Sequence, residues 1–203
     1  MNIKGDFIKI DDFDITDIKA RVLDISEDIW NADAFRQKTF EVHKHTQTIK
    51  LIMDEDGRHT GPTLHPIYHE LENVITPVEN CIRRNYNNTL KAKKLRKKNP
   101  AGYFIRMILV RLNAKGIIPK HVDTGETLMK CHRIHLPIIT NEKNIFSVGE
   151  SSKALKAGEI WEINNRHEHG VVNSSDEGRI HLIMDYVLPG EKVKDTDGSN
   201  LTC

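Results

Sequence analysis

Apolar and polar positions give the chain two textures. Between Leu64 and Tyr86 the apolar residues Ile67, Leu71, Val74, Ile75, Val78 and Ile82 recur at three- and four-residue steps, the period of one helix face. Pro77 lies inside the pattern and is expected to kink or break the helix, because it lacks an N–H and its ring crowds the preceding turn. Upstream, Ile15 to Phe40 reads as loosely helical, and Thr46 to Met53 alternates with the two-residue period of a strand. Asp54 to Thr63 (DEDGRHTGPT) is dense in turn formers and is expected to be a surface loop.

Beyond Gly102 the texture changes. Short β-branched and aliphatic runs (YFIRMILVRL, HRIHLPIIT, IFSVGE, EIWEI, HGVVN and RIHLIMDYVL) alternate with Gly, Asn, Asp and Pro turns. Six strand candidates with few helical patterns among them predict a sandwich, barrel or jelly roll. The fold class expected is therefore α+β with a mainly β core. Residues 1–100 would form a helical and mixed N-terminal flank, 101–190 the β core and 191–203 a tail. No Pro- or Ser-rich linker separates them, so 1–203 reads as a single domain.

Composition narrows the partners. Lys and Arg total 30 against 29 for Asp and Glu, and this near-cancellation argues against a nucleic-acid partner. The basic run Lys91 to Lys98 (KAKKLRKK) carries no interleaved aromatic residues and reads as a solvated face. Cys81, Cys131 and Cys203 form no CxxC pair, which argues against a disulfide framework or a Cys-rich zinc site and for a reducing, cytoplasmic compartment. The acid-studded N-terminus does not read as a signal peptide, and no apolar run approaches the ~18–20 residues of a membrane span.

The chemistry centres on His121-Val122-Asp123, with His169 further along in NNRHEHGVVN. On a strand, positions i and i+2 share a face, so His121 and Asp123 can address one point, and a histidine from a neighbouring strand can complete the set. Two histidines and one carboxylate on one side of a metal leave other coordination positions open, which suits non-haem Fe(II). His167 is the rival ligand on the same strand face; His169 is preferred because it abuts the GVVN string. Arg179 opens the last strand, and an arginine reaching into a small barrel needs a negative partner. A dicarboxylate co-substrate would supply one, held by the planar guanidinium fork. Arg133 and His135 flank Ile134 and share a strand face, from which they could bind co-substrate or substrate.

Several neighbours invite other readings. His132 and His181 are expected to be structural, and Trp161 to pack. Arg111 either faces the pocket or is structural. His43, His45, His59, His65 and His69 fit no standard zinc spacing and are left unassigned.

The run from about Leu109 to Tyr186 resembles the aspartyl/asparaginyl β-hydroxylase family of Fe(II)/2-oxoglutarate-dependent oxygenases. The matching strings are GIIPKHVDTGE, CHRIHLPIITN, FSVGE, LKAGEIWEINN, HGVVN and DEGRIHLIMDY, and RQKTFEVHKHTQTI (Arg36 to Ile49) matches more loosely. The resemblance implies a double-stranded β-helix (a jelly roll, cupin-like). It implies Fe(II) held by His121 and His169, with 2-oxoglutarate and O₂ as co-substrates. Arg179 would grip the distal carboxylate of 2-oxoglutarate, with Arg133 and His135 helping to seat it. Some members of the family manage with two histidines; here Asp123 makes the full triad available. The implied reaction is hydroxylation of an unactivated C–H, on the β-carbon of an Asp- or Asn-type residue or a related amino acid, in a protein, in a peptide or free. The alternative is a cupin-like metal-binding module without oxygenase activity. Neither the substrate nor the oligomeric state is legible.

Overall fold

The computed structural model describes residues 3–59, 61–95, 102–194 and 200–202. The N-terminal half contributes β1 (Phe7–Asp12), α1 (Thr16–Leu23), α2 (Glu27–Asn31), α3 (Phe35–Thr39) and a 3-10 turn at Glu41–His43. β2 (Thr46–Met53) and β3 (Thr63–Leu64) follow, then α4 (Pro66–Asn87) and α5 (Leu90–Leu95). The other half holds β4 (Tyr103–Leu112), β5 (Ile117–His121), α6 (Glu126–Met129), β6 (His132–Ile139), β7 (Asn144–Val148) and β8 (Ser151–Lys153). It continues through β9 (Glu159–Ile163), β10 (His169–Asn173), β11 (Arg179–Val187), β12 (Lys192–Lys194) and β13 (Asn200–Thr202).

Two sheets face each other. The larger has seven strands in the order β1-β9-β6-β11-β4-β2-β3, and the smaller has four, β5-β10-β7-β8. All the strand pairings are antiparallel. This is a jelly roll, the double-stranded β-helix expected, with helices on the outer side of the larger sheet. The six strand candidates became β4, β6, β7, β9, β10 and β11. The larger sheet also recruits β1 and β2, so it reaches well into the N-terminal half. Residues 96–98 of the basic run, 195–199 of the tail, and Cys203 lie outside the described residues. No helix among the described residues is long and apolar enough to cross a membrane.

Strand register divides the side chains between two cores. On β4, β11 and β6, Leu109, Leu182 and Leu136 are register partners, as are Met107, Met184 and Ile134. These rows face α4, whose Leu71, Ile75, Val78 and Ile82 are at most 2% exposed, and together they form the main core. Each such side chain contributes about 1.5–3 kcal/mol on burial. α4 runs unbroken across Pro77. The proline and Asn73, whose carbonyl it releases, both lie on the exposed side of the helix, where solvent can take over the lost hydrogen bond.

The alternate rows face the smaller sheet. They hold Leu112, Ile163 and Trp161, which pack with Phe146, Val148, Leu155 and Val171 in a second, smaller core. The same face carries Arg106, Arg133, His135, Arg179, His181 and Asp185. Most of the polar residues of interest thus lie on the face between the sheets. Arg111 does not join them. Its register partner is Ile180, on the helix-facing side, so it bonds Glu27 and Gln47 and lies over the Trp30 ring.

Candidate metal centre and co-substrate pocket

His121 closes β5 and His169 opens β10, and the two are direct register partners. Their rings lie 4.5 Å apart. Asp123 sits two residues beyond the strand end, so the loop, not strand alternation as expected from sequence, brings it to the histidines. Its Oδ1 is 3.9 Å from His121 Nε2 and its Oδ2 is 3.7 Å from His169 Nε2. Each of the three residues offers a ligand atom, all within 4.8 Å of one another. Gly170 permits the close approach, because a Cβ there would stand 2.7 Å from the Ile118 carbonyl oxygen.

The ring nitrogens are set for metal binding. His121 Nδ1 lies 2.8 Å from the Pro119 carbonyl, and His169 Nδ1 lies 3.0 Å from the His167 carbonyl. With Nδ1–H donating to these oxygens, each Nε2 keeps its lone pair for a cation. Burial brings the His169 pKa down to about 4, against the opposing pull of Asp123, so the ring is neutral at ordinary pH. Burial also works against the charge of Asp123, but Arg133, His169 and His121 outweigh it and hold the carboxyl below its usual range. Arg133 Nη1 donates to Asp123 Oδ2 at 2.5 Å, and Asn165 reaches the same oxygen at 3.4 Å. Two imidazoles and a carboxylate form a donor set suited to a divalent metal such as Fe(II). His167 is turned away: half-exposed, it pairs with Asp6 at 2.8 Å.

Deeper between the sheets lies a cluster with surplus positive charge. Arg179 is 2% exposed. Its Nε and Nη2 lie 2.9 and 2.7 Å from the two ring nitrogens of His181. Burial draws its pKa down to about 9, which leaves it charged near neutrality. Among the described residues no carboxylate pairs with it. His135 Nδ1 is 3.5 Å from His181 Nδ1, while the buried Nε2 of His135 has no hydrogen-bond partner among the described residues. Burial first, then Arg179, pushes both imidazoles well below their usual range. A buried guanidinium among neutral histidines fits an anion, and its fork fits a carboxylate.

The structure therefore gathers His121, Asp123 and His169 at one point and places Arg179 and His135 together behind it. Arg133 shares the face of His135, as expected, but two of its nitrogens bond Asp185 and the third bonds Asp123. Sequence reading missed His181 as a site residue. The signal was present, since Arg133-Ile134-His135 and Arg179-Ile180-His181 are the same tripeptide on paired strands. His132 is structural, as expected. It lies on the helix-facing side between Glu162 and Glu191.

The profile described as Aspartyl/Asparaginyl beta-hydroxylase matches residues 67–189. The chain belongs to that family. Among solved structures, an oxidoreductase of the 2OG-Fe(II) oxygenase family from Burkholderia pseudomallei is 14% identical, with a TM-score of 0.52. The match covers 70% of this chain and 66% of that one, just under two thirds of its length, and shows a shared fold. The viral collagen prolyl hydroxylase of Paramecium Bursaria Chlorella virus-1, in its 2OG complex, is 13% identical at a TM-score of 0.47, covering 90% of this chain and 96% of that one. A cupin domain from Bordetella pertussis Tohama I is 16% identical at 0.33, covering 44% and 96%. No curated protein matches the sequence.

Proposed function

We propose that this protein hydroxylates an unactivated C–H of an amino-acid side chain, with Fe(II) held by His121, Asp123 and His169 and with 2-oxoglutarate anchored by Arg179. When bound, the iron with 2-oxoglutarate and O₂ supplies the oxidising chemistry; the chain's residues bind, orient and exclude water. The pairing of each Nδ1–H with a backbone carbonyl keeps the two imidazoles pointed inward. Arg133 and Asn165 occupy Oδ2 of Asp123 and leave Oδ1 for the metal. Arg179 takes the distal carboxylate of the co-substrate, and His135 offers its unpartnered Nε2 to the same molecule. Phe146, Val148 and Val171 supply the dry wall beside them.

The observation that carries this reading is Arg179, a buried cation paired with imidazoles instead of an acid. A metal-binding module without oxygenase activity has no use for a dicarboxylate anchor behind its metal. The family points to the β-carbon of an Asp- or Asn-type residue, in a protein, in a peptide or free. The free, buried thiols of Cys81 and Cys131 accord with a reducing, cytoplasmic setting.

The test incubates the protein with Fe(II), 2-oxoglutarate and air in the presence of free aspartate, free asparagine or peptides containing them. Succinate is measured beside the gain of one oxygen atom by the candidate substrate. Succinate that depends on Fe(II) and disappears in His121→Ala supports the oxygenase, and an oxygenated Asp or Asn supports the substrate class. Absence of succinate under every condition would leave the binding-module reading.

A further inference from the structure

Arg106 on β4, Asp185 on β11 and Arg133 on β6 occupy one register row, so cation, anion and cation stand side by side across three strands. Asp185 Oδ1 and Oδ2 accept from Arg133 Nε and Nη2 at 2.8 and 2.7 Å, and Oδ2 also faces Arg106 Nη1 at 3.3 Å. The row is extended at both ends. At one end Arg133 reaches Asp123. At the other, Arg106 grips Asp54, just past β2, with Nε and Nη2 donating at 2.5–2.9 Å. Asp54 in turn accepts from the Thr127 hydroxyl at 2.5 Å. Thr127 lies on α6, four residues after Asp123, so the chain of contacts returns to the loop from which it started.

We propose that this closed ring, Asp123–Arg133–Asp185–Arg106–Asp54–Thr127, is a clamp that positions Asp123 for the metal, with Thr127 as its closing residue. The inference rests on the ligand assignment above and adds residues far from the metal to the machinery that shapes it. The loop that carries Asp123 leaves the β ladder at His121, so the strand pairing that fixes the two histidines does not fix the carboxylate. The clamp takes over that task from both ends of the loop. Four of its members are buried, with Asp54, Asp185 and Thr127 at most 5% exposed and Arg106 9% exposed, and Asp123 and Arg133 are partly buried. Buried charges hold rigid geometry only when each is fully paired, and the alternating signs provide that pairing. The ring holds three carboxylates against two guanidiniums. The unmatched charge suits a dication at Asp123. Outer-shell partners of metal ligands set both geometry and affinity, and Thr127, Asp54, Arg106 and Asp185 act as positioning residues.

The test uses Co(II), whose visible absorption reports affinity and ligand geometry without turnover. Apo-protein is titrated with Co(II) for the parent, Thr127→Val and Thr127→Ser, and again for each in an Asp123→Ala background. Thr127→Val removes one hydroxyl and leaves the Asp54–Arg106 pair in place, and the fold of each variant is checked by circular dichroism. The clamp predicts that Thr127→Val binds Co(II) about tenfold more weakly, with an altered spectrum. Thr127→Ser should match the parent, and Thr127→Val should cause no further loss once Asp123 is alanine. Parent-like binding by Thr127→Val overturns the clamp. So does an equal loss in both backgrounds, which would place the effect in the fold at large. If Asp123→Ala alone binds Co(II) as the parent does, the ligand assignment fails and the clamp falls with it.

Discussion

His169 stands directly opposite His121 on the β5–β10 ladder, where the register shifts before Val171. The backbone of β5 crosses Gly170 so closely that a methyl group there would meet Ile118 O, Lys120 N and Pro119 C at 2.7–3.1 Å. Gly170→Ala should therefore push the two histidines apart. Overpacking of this kind costs about 1–3 kcal/mol. The expected result is a modest fall in melting temperature but at least a tenfold loss of Co(II) or Fe(II) affinity, measured by titration.

Arg179 gives a prediction in which stability and function diverge. Its charge is buried with no acid partner among the described residues, so replacing it with an apolar residue of similar length relieves a cost that folding must otherwise bear. Arg179→Met should leave the apo-protein as stable as the parent or raise its stability. Removing one partner of a buried charged pair costs about 2–5 kcal/mol, so 2-oxoglutarate affinity should fall at least ~30-fold. Thermal melts with and without 2-oxoglutarate and metal check both halves.

His132 ties stability to pH. Burial opposes its charge, but hydrogen bonds to Glu162 and Glu191 prevail and raise its pKa to about 9. A histidine whose folded pKa is raised stabilises the fold fully below its unfolded pKa of about 6.5, and that contribution is lost as pH climbs through the folded value. The contribution is on the order of 3 kcal/mol. Melting temperature should fall between about pH 7 and 9, and His132→Gln should flatten that slope.

Arg111 offers the matching negative control for the site. It faces the helices, pairs with the largely exposed Glu27 and lies over Trp30 at 4.6 Å. An ion pair so open to solvent and one cation–π contact together contribute about 1 kcal/mol. Arg111→Ala should lower stability by that amount in urea denaturation and leave the Km for 2-oxoglutarate unchanged.

Where sequence and structure part, the reasons are physical. The six strands with dense β-branched runs were legible because they are buried on at least one face. β1 and β5 were not read as strands, and both are sheet edges. Edge strands tolerate the Lys9, Asp11 and Asp12 of one and the Pro119 and Lys120 of the other, and such residues blur a strand pattern. The triad's residues were legible as an HxD with a distant histidine, yet the strand that was to present Asp123 ends at His121. Period-2 alternation showed that Arg111 and Arg133 lie on definite faces but not which face meets the pocket; only the register with β11 decides that. The partnership of Arg133 with Asp185 joins residues 52 apart, and no local pattern announces it.

In the proposed reading one metal site and one dicarboxylate anchor lie between the two sheets. The most direct test adds Fe(II) and 2-oxoglutarate to the protein without oxygen and records the visible charge-transfer band of the chelate, with His169→Ala and Arg179→Met beside the parent. A band in the parent that is absent in His169→Ala and needs far more 2-oxoglutarate to appear in Arg179→Met is the predicted result. No band in the parent, or a band indifferent to both substitutions, would contradict the assignment of the site.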